Sequence, residues 1–359
     1  MTIPNLIPPD NSNRIDFIDV WRFLAIVMVI QAHILVFSGV EAPLLAPYLL
    51  PLDRLSELGV FAFFFISGFV ICSGLIKEKT TTGTVCLKAF YLRRSLRIIP
   101  PLWLYLICIS FLHYIDITNT TPIQAITSAL FLCNMPFEDG CSWFAGHTWS
   151  LAYEEQFYLL FPFIFIGIFH MQPAKKLGII IGGLTLASLL VRFNGYPVLA
   201  DFGMYFLFLL HGCLAALLTQ GNIKRAYPLS VSLWLLTIAA LLFCISYFSV
   251  ATEIYVRTLF YPPLISIIVF CTPMHNPRIA AFFSNTTMRY LGRISYTVYL
   301  WQELATAYYP NPSLLATFSY LALVFVLAIL SFQYIETPLA IMASKRSRQL
   351  QLQLQQLNK

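Results

Sequence analysis

DVWRFLAIVMVIQAHILVF, residues 19–37, is an apolar stretch with a few polar residues at selected positions. A helix needs about 20 mostly apolar residues to cross a bilayer, and nearly every residue from Phe23 onwards meets this requirement. Yet the stretch begins with Asp19 and Arg22 and carries His33 deep inside its apolar part. The pattern predicts a membrane-spanning helix that keeps ionisable side chains for a functional reason.

The composition of the whole chain indicates many such helices. Of its 359 residues, 58% are hydrophobic and 11% are charged, against about 25% charged residues in an ordinary soluble domain. The sequence therefore predicts an all-α fold, a polytopic membrane helix bundle of about ten transmembrane helices. The predicted spans are 20–40, 57–76, 98–115, 149–169, 177–193, 203–219, 230–249, 256–272, 290–308 and 315–335.

Lysine and arginine are distributed unevenly between the two sides of the predicted bundle. If the N-terminus lies in the cytosol, nineteen of these residues are cytoplasmic and only Arg54, Arg192 and Arg257 lie outside. Cytoplasmic loops of membrane proteins are enriched in such cations, so both termini are expected to be cytoplasmic. The cations form no single basic patch, which argues against a nucleic-acid partner.

The chain is predicted to be one membrane unit with polar ends. Residues 1–13 are expected to form a flexible N-terminal arm without a cleaved signal peptide, and residues 344–359 a polar cytoplasmic tail. The eight cysteines show no zinc-site spacing, so no metal is expected. Cys133 and Cys141 share a predicted outer loop, where an oxidising compartment would favour a disulfide; the sequence leaves both a bridge and two free thiols open.

Arg22 and His33 share one face of the first predicted span. The steps between them turn about 20° beyond three full helical turns and advance roughly 16 Å along the axis. Arg22 is therefore expected at the cytoplasmic rim, where Asp19 can pair with it, and His33 in the middle or outer half of the bilayer. An interfacial Arg–Asp pair and a neutral histidine bonded to a neighbouring helix are the structural alternative.

A basic cluster precedes the third span in YLRRSLRIIPPLW, residues 91–103. Arg93 and Arg97 lie one helical turn apart, and Arg94 flanks them. Three guanidinium groups this close repel one another unless anions compensate them, and arginine is well suited to phosphate. Anchoring of a cytoplasmic loop explains part of the cluster, but we predict a bound polyphosphate.

Two adjacent carboxylates open the fourth span in GHTWSLAYEEQFYLLFP, residues 146–162. Glu154 and Glu155 are expected about 8 Å inside the membrane at the helical rise. Neighbouring side chains on a helix point in different directions, so at least one carboxylate needs a polar interior. Glu154 shares a face with Ser150 and Tyr158 and is the candidate; a protonated carboxyl bonded to a neighbouring helix is the alternative.

Two further stretches carry weaker signals, FFFISGFVI (63–71) and LGRISYTVYLWQELA (291–305). The first has two small residues at mid-span, Ser67 and Gly68, which permit close helix approach or the passage of a slender ligand. The second mixes aromatic and amide side chains that fit a pocket wall and a packing surface equally well. These side chains are Tyr296, Trp301 and Gln302.

Taken in their order along the chain, these stretches resemble the motifs of the acyltransferase-3 family of integral-membrane acyltransferases. The resemblance runs from IDVWRFLA and AHI through FFFISGF, RRSLRIIP, WSLAYEEQFYL and LGRISYTVYLW to YIETP at 334–338, and covers almost the whole chain. It places the family's first-span arginine and histidine on Arg22 and His33, and its glutamate on Glu154. Many members have a histidine where this chain has Gln302, so no acid–base role is carried over to that position.

The resemblance implies the transfer of an acyl group, commonly acetyl, from cytosolic acyl-CoA to a hydroxyl of a glycan or lipid-linked sugar. It groups the chain with O-antigen and exopolysaccharide O-acetyltransferases of the bacterial inner membrane, with residues 14–343 as the acyltransferase domain. Acetyl-CoA is then a co-substrate, no cofactor is tightly bound, and membrane lipids are the other partners. The oligomeric state stays open.

The resemblance also implies roles for the polar residues. The unperturbed pKa of a histidine side chain is about 6.5, so His33 is expected to be the general base, with Glu154 orienting it as the acid does in a hydrolase triad and Arg22 helping to hold the donor. The other expected donor-binding residues are Arg93, Arg94, Arg97, Ser67 and Gly68. The expected substrate-binding residues are Asp19, Trp149, Ser150, Tyr158, Tyr296, Trp301 and Gln302.

Two other functions are compatible with the sequence. Buried His, Glu and Arg side chains also build proton-coupled transporters of small molecules, although we find no related halves with Gly- or Pro-interrupted helices. A non-catalytic relative that senses or scaffolds is the second. The presence of His33 argues against it, and Gln302 keeps it open.

Overall fold

The computed structural model describes residues 16–37, 46–137, 140–170, 172–221, 228–247, 250–306 and 314–357. All regular secondary structure in these ranges is helical, as the sequence predicts. The helices are α1 (Asp16–Phe37), α2 (Ala46–Thr82), α3 (Leu87–Tyr114), α4 (Pro122–Ala129), α5 (Trp143–Gly146), α6 (Thr148–Ile168), α7 (Pro173–Phe193), α8 (Pro197–Leu218), α9 (Val231–Tyr247), α10 (Val250–Phe270), α11 (Pro277–Phe283), α12 (Thr286–Arg293), α13 (Ser295–Trp301), α14 (Glu303–Thr306), α15 (Leu314–Ser331) and α16 (Thr337–Leu357). A π-helical turn, Phe332–Glu336, joins the last two.

Six helical segments of the described residues are long and apolar enough to cross a membrane. Each overlaps one of the predicted spans, and two shorter apolar helices, Val231–Tyr247 and Tyr255–Phe270, lie where two more are predicted. The structure thus supports a multi-pass membrane protein, while ten spans and cytoplasmic termini stay predictions. The six segments are Arg54–Thr82, Leu87–Tyr114, Trp143–Ile168, Pro173–Phe193, Pro197–Leu218 and Ser319–Gln356.

The predicted span at 290–308 is not one continuous helix. It is divided into α12, α13 and α14, with interruptions at Ile294 and Gln302. Irregular backbone is tolerated at membrane depth only where protein buries it or a cavity borders it. Both interrupting residues are fully buried, so this part of the chain lies inside the bundle, where its polar side chains need partners.

The core is held together by close approaches of α2 to its neighbours. A Cβ atom added to Gly68 would overlap the backbone carbonyl of Leu209 in α8, and one added to Gly212 would overlap that of Phe65 in α2. Small residues let helices of a membrane protein approach this closely, so that van der Waals contact replaces the missing hydrophobic effect. The α2–α8 pair therefore forms a rigid centre around which the other helices pack.

We expect Gly68→Ala to destabilise the protein by about 1–3 kcal/mol, because the added methyl group pushes α2 away from α8. Gly74→Ala is the matched control in the same helix, since a Cβ atom at Gly74 meets nothing within 4 Å. Thermal unfolding of both purified variants in the same detergent measures the difference. Equal melting temperatures for the two variants would contradict the packing described here.

The connection between α3 and α6 contains a short helix and a disulfide. Helix α4, which is too short to cross a membrane, exposes Ile123 and Ile126, and its C-cap residue Leu130 is exposed as well. Cys133 and Cys141 are bridged, with their Cα atoms 5.8 Å apart. The structure therefore decides between the two possibilities that the sequence left open, in favour of the disulfide.

The C-terminal helix α16 packs against α3. It continues without interruption across the predicted boundary between residues 343 and 344. Arg93 of α3 donates a hydrogen bond to Ser347 of this helix and forms an ion pair with Glu78 of α2, 3.1 Å between Nη2 and Oε2. These contacts join three helices at the end of the bundle that carries the basic cluster.

Candidate active site

A cavity of about 90 Å³, lined by both polar and apolar side chains, lies between α1, α2, α3, α6 and α13. This volume is enough for several water molecules. Eight residues that the sequence analysis proposes for the site line it: Arg22, Ser67, Arg94, Arg97, Ser150, Glu154, Tyr158 and Tyr296. The structure thus brings together polar residues from five separate motifs.

Three arginines converge on this cavity from two helices. Arg22 comes from α1, and Arg94 and Arg97 come from α3. The guanidinium carbon of Arg94 lies 5.3 Å from the ring centre of Tyr158, a cation–π contact that fixes its direction. Arg97 is held by Glu336 of the π-helical turn, with 3.4 Å between Nε and Oε1. The guanidinium groups are therefore positioned before any anion binds.

Arg93 does not line the cavity, although the sequence grouped it with its neighbours in the basic cluster. Its guanidinium group faces Glu78 and Ser347. Consecutive side chains on a helix point about 100° apart, so Arg93 and Arg94 cannot both face the same space. The expectation that Arg93 binds the donor is thus not supported by its position, and its contacts indicate a role in packing α2, α3 and α16.

Glu154 lies at the centre of the cavity and not beside His33. Its Oε1 accepts a hydrogen bond from Ser67 at 2.8 Å, and its Oε2 accepts one from Tyr158 at 2.9 Å. Arg22 and Arg94 interact electrostatically with the same carboxylate. Both carboxylate oxygens are thus hydrogen-bonded to Ser67 and Tyr158, and these contacts do not support the expectation that Glu154 orients His33.

His33 belongs to a second polar cluster, with Gln302 and Glu303. Its Nδ1 lies 3.0 Å from Oε1 of Gln302 and 3.7 Å from Oε1 of Glu303. The amide nitrogen of Gln302 donates to the same Glu303 oxygen at 3.2 Å. About 20% of the His33 side chain is exposed, whereas that of Glu303 is only 4% exposed. The imidazole of His33 is thus partly exposed, whereas Gln302 and Glu303 behind it are buried.

A chain of contacts connects the cavity with this second cluster, although His33 itself does not line the cavity. Tyr299 lines the cavity. Its hydroxyl group is hydrogen-bonded to Ser150 Oγ at 2.8 Å and donates to the backbone carbonyl of His147 at 2.9 Å. His147 in turn places Nδ1 3.8 Å from Oε1 of Glu303. Glu303 thus stands between two imidazoles, and Tyr299 stands between them and the cavity.

Two other predicted site residues have structural partners. Gly68 faces the backbone of Leu209 in α8 while its neighbour Ser67 lines the cavity, so its position does not support the expectation that it borders the path of the donor. Asp19 forms a buried ion pair with Arg293 of α12, 3.3 Å between Oδ2 and Nε. This pair joins the start of α1 to α12, and the sequence analysis did not foresee it.

The two predicted tryptophans lie in aromatic packing outside the cavity lining. Trp149 contacts the Tyr205 ring, with 5.0 Å between ring centres. Trp301 is buried edge-on against Tyr105 at 5.4 Å. Tyr296 does line the cavity, and its hydroxyl donates to the carbonyl of Ile98 at 2.7 Å. Of the predicted substrate-binding residues, Ser150, Tyr158 and Tyr296 line the cavity.

Sequence reasoning missed Glu303 and His147. Glu303 is a carboxylate inside a predicted span, so the rule that singled out His33 applies to it equally. His147 lies just before α6 in the same quoted stretch as Glu154, but nothing in the spacing marks it. Among the residues that the structure describes, no group of three His, Cys, Asp or Glu side chains is placed to hold a metal ion.

Comparisons with known proteins identify the family. The family model described as an acyltransferase domain matches residues 15–335, which is most of the chain. The chain therefore belongs to the acyltransferase-3 family, in agreement with the resemblance of its motifs. No solved structure is detectably similar to it.

Several relatives carry names that describe an activity. A Staphylococcus aureus (strain COL) protein provisionally named an O-acetyltransferase is 29% identical over 314 residues, covering 78% of this chain and 52% of the relative. Peptidoglycan O-acetyltransferase OatA of Listeria monocytogenes is 26% identical over 363 residues, covering 90% and 55%. O-acetyltransferase OatA of Staphylococcus aureus is 27% identical over 318 residues, covering 79% and 52%. The chain thus spans about half the length of these relatives.

Proposed function

We propose that the chain is an integral-membrane O-acetyltransferase that transfers an acetyl group from acetyl-CoA to a hydroxyl group of a glycan. Membership of the acyltransferase-3 family supports the reaction class, and the names of the relatives support acetyl as the group transferred. One observation carries the proposal: three arginines meet at a cavity that side-chain and backbone contacts connect with a partly exposed histidine, His33.

The arginine side of the cavity is the proposed donor site. Coenzyme A is a polyanion, and guanidinium groups bind phosphate through paired, charge-assisted hydrogen bonds. Arg94 and Arg97 are already oriented by Tyr158 and Glu336, so little ordering is required on binding. Because the cavity holds only several water molecules, the nucleotide is expected at its mouth and the thioester arm inside, past Ser67.

The acceptor is proposed to be a glycan or lipid-linked sugar that approaches from outside. The sequence resemblance allows O-antigen, exopolysaccharide and related acceptors. The relative named peptidoglycan O-acetyltransferase favours a peptidoglycan-type glycan among them. The proposed location is a bacterial inner membrane, with the donor on its cytosolic side.

In the proposed reaction, His33 removes the proton from the acceptor hydroxyl while the hydroxyl oxygen attacks the acetyl carbonyl carbon. A carbon–oxygen bond forms and the carbon–sulfur bond of the thioester breaks. The proton then passes from His33 to the thiolate of coenzyme A, so that the products are an acetyl ester and free coenzyme A. General-base catalysis of this kind contributes about 10²- to 10⁴-fold to the rate.

Arg22 and Glu154 are proposed to shape the donor site, not to move protons. Arg22 reaches the cavity from the same helix as His33, which couples donor binding to the position of the base. Glu154 holds Ser67 and Tyr158 and counterbalances the nearby arginines. A proton-coupled transporter would use the same kinds of residue, but family membership does not favour it.

Proteoliposomes test the proposal against the transporter. We expect purified protein supplied with radiolabelled acetyl-CoA to label soluble peptidoglycan glycan fragments, and mild alkali to release the label, as for an O-acetyl ester. Vesicles with His33→Ala, matched for the amount of inserted protein, are the control. Solute flux without acceptor labelling, or equal labelling by the two proteins, would overturn the proposal.

A further inference from the structure

The hydrogen bonds around Gln302 define which nitrogen of His33 carries its proton. A carboxylate accepts hydrogen bonds and cannot donate them. The Glu303 carboxylate therefore requires the amide nitrogen of Gln302 to face it, as it does at 3.2 Å. This fixes the opposite end of the amide, the carbonyl oxygen Oε1, towards His33 at 3.0 Å.

A carbonyl oxygen can only accept a hydrogen bond, so Nδ1 of His33 must be the donor. The neutral imidazole then has its hydrogen on Nδ1 and its lone pair on Nε2. A general base needs such a lone pair on the nitrogen that meets the substrate. Gln302 and Glu303 are buried while the His33 side chain is partly exposed, and in this tautomer Nε2 is the nitrogen with the lone pair that a general base needs.

The charge of Glu303 suits the second half of the reaction. Once Nε2 has taken the proton, His33 is an imidazolium ion, and the Glu303 oxygen lies 3.7 Å from its Nδ1. Attraction between opposite charges is stronger in a buried site than in water. The side chains of both Glu303 and His147 behind the ring are almost fully buried, so solvent reaches the His33–Glu303 pair only from the exposed part of His33.

We propose that Gln302 and Glu303 are positioning residues for the transfer reaction: Gln302 holds His33 in the Nδ1–H tautomer, and Glu303 fixes Gln302 and stabilises the imidazolium. This inference rests on the proposed role of His33 as the general base. It gives Gln302 a function at a position where many family members carry histidine. It also replaces Glu154 with Glu303 as the acidic partner.

Steady-state kinetics of near-isosteric variants test the proposal. We expect Glu303→Gln to lower kcat about 10- to 100-fold with an unchanged KM for acetyl-CoA, and Glu303→Asp to recover part of the loss. Glu78→Gln is the matched control, because this buried carboxylate pairs with Arg93 outside the cavity. We expect its kcat and its KM for acetyl-CoA to stay within about threefold of wild type.

Nitrogen NMR gives a readout that does not depend on activity. In protein labelled with ¹⁵N-histidine, the His33 signals are identified by their absence from His33→Ala. We expect the Nδ1–H tautomer in wild type and a mixture of tautomers in Glu303→Gln. An Nε2–H tautomer in wild type would overturn the inference even if the variant failed to fold.

The two proposals fail in different ways. If His33→Ala transfers acetyl groups at the wild-type rate, the proposed base is wrong. If His33→Ala is inactive while Glu303→Gln keeps the wild-type kcat, only the positioning role of Glu303 is wrong.

Discussion

Replacing His33 with alanine is expected to reduce acetyl transfer by about 10²- to 10⁴-fold, the usual contribution of a general base. Acetyl-CoA should still bind, because the arginines of the cavity are unchanged. His33 is the expected base because 20% of its side chain is exposed, whereas the neighbouring His147 side chain is only 1% exposed. Transfer rates and equilibrium binding of acetyl-CoA by the same purified preparation measure the two effects separately.

The control for this variant is His170→Ala, which removes an exposed histidine beyond the end of α6. We expect its transfer rate to match wild type. A His33→Ala protein that keeps more than about a tenth of the wild-type rate would contradict general-base catalysis by this residue, since the expected loss is at least tenfold larger.

Arg94→Ala is expected to weaken acetyl-CoA binding about 10- to 100-fold. A hydrogen bond to a charged group contributes about 1.5–3 kcal/mol, and each 1.4 kcal/mol changes Kd about tenfold. Arg94 lines the cavity, so its loss removes such a bond to a phosphate group. Isothermal titration with acetyl-CoA in detergent measures the change.

Arg93→Ala is the matched control, because it removes the same side chain from the adjacent position. Arg93 pairs with Glu78 outside the cavity, so we expect Kd to change by less than about threefold. Its loss leaves the buried Glu78 without this cation, so thermal stability should fall. Weaker donor binding in Arg93→Ala than in Arg94→Ala would contradict the placement of the donor site.

The helices were largely predictable because hydropathy is a local property of the sequence. An apolar stretch of sufficient length predicts a span whatever its neighbours are, and six such spans match the structure. The interruptions at Ile294 and Gln302 were not predictable in this way. They depend on burial inside the bundle, which only the packing of other helices determines.

Residues that face the cavity were predictable as groups but not one by one. Ser67 and Gly68 are neighbours in α2, yet one lines the cavity and the other packs on α8. Arg93 and Arg94 of α3 differ in the same way, since Arg93 pairs with Glu78 whereas Arg94 lines the cavity. A motif fixes which residues are about 100° apart on a helix, but not which neighbour each of them meets.

Partners on different helices were the least predictable feature. The sequence assigned Glu154 to His33, but α1 packs against α13 and α14, so Glu303 is the carboxylate near that histidine. Nothing in the local sequence of α1 reveals this contact. An ionisable residue within a predicted span predicts only that a polar partner exists, and its identity follows from the packing.

The central claim is that the donor bound by the arginines presents its thioester to His33. A cryo-electron microscopy structure of the protein with a non-hydrolysable acetyl-CoA analogue tests it most directly. The account predicts phosphate groups within hydrogen-bond distance of Arg94 and Arg97, and room for one hydroxyl oxygen about 3 Å from both His33 Nε2 and the carbonyl carbon. Phosphate groups bound elsewhere would contradict the claim, and so would protein atoms that fill the space between the acyl carbon and His33.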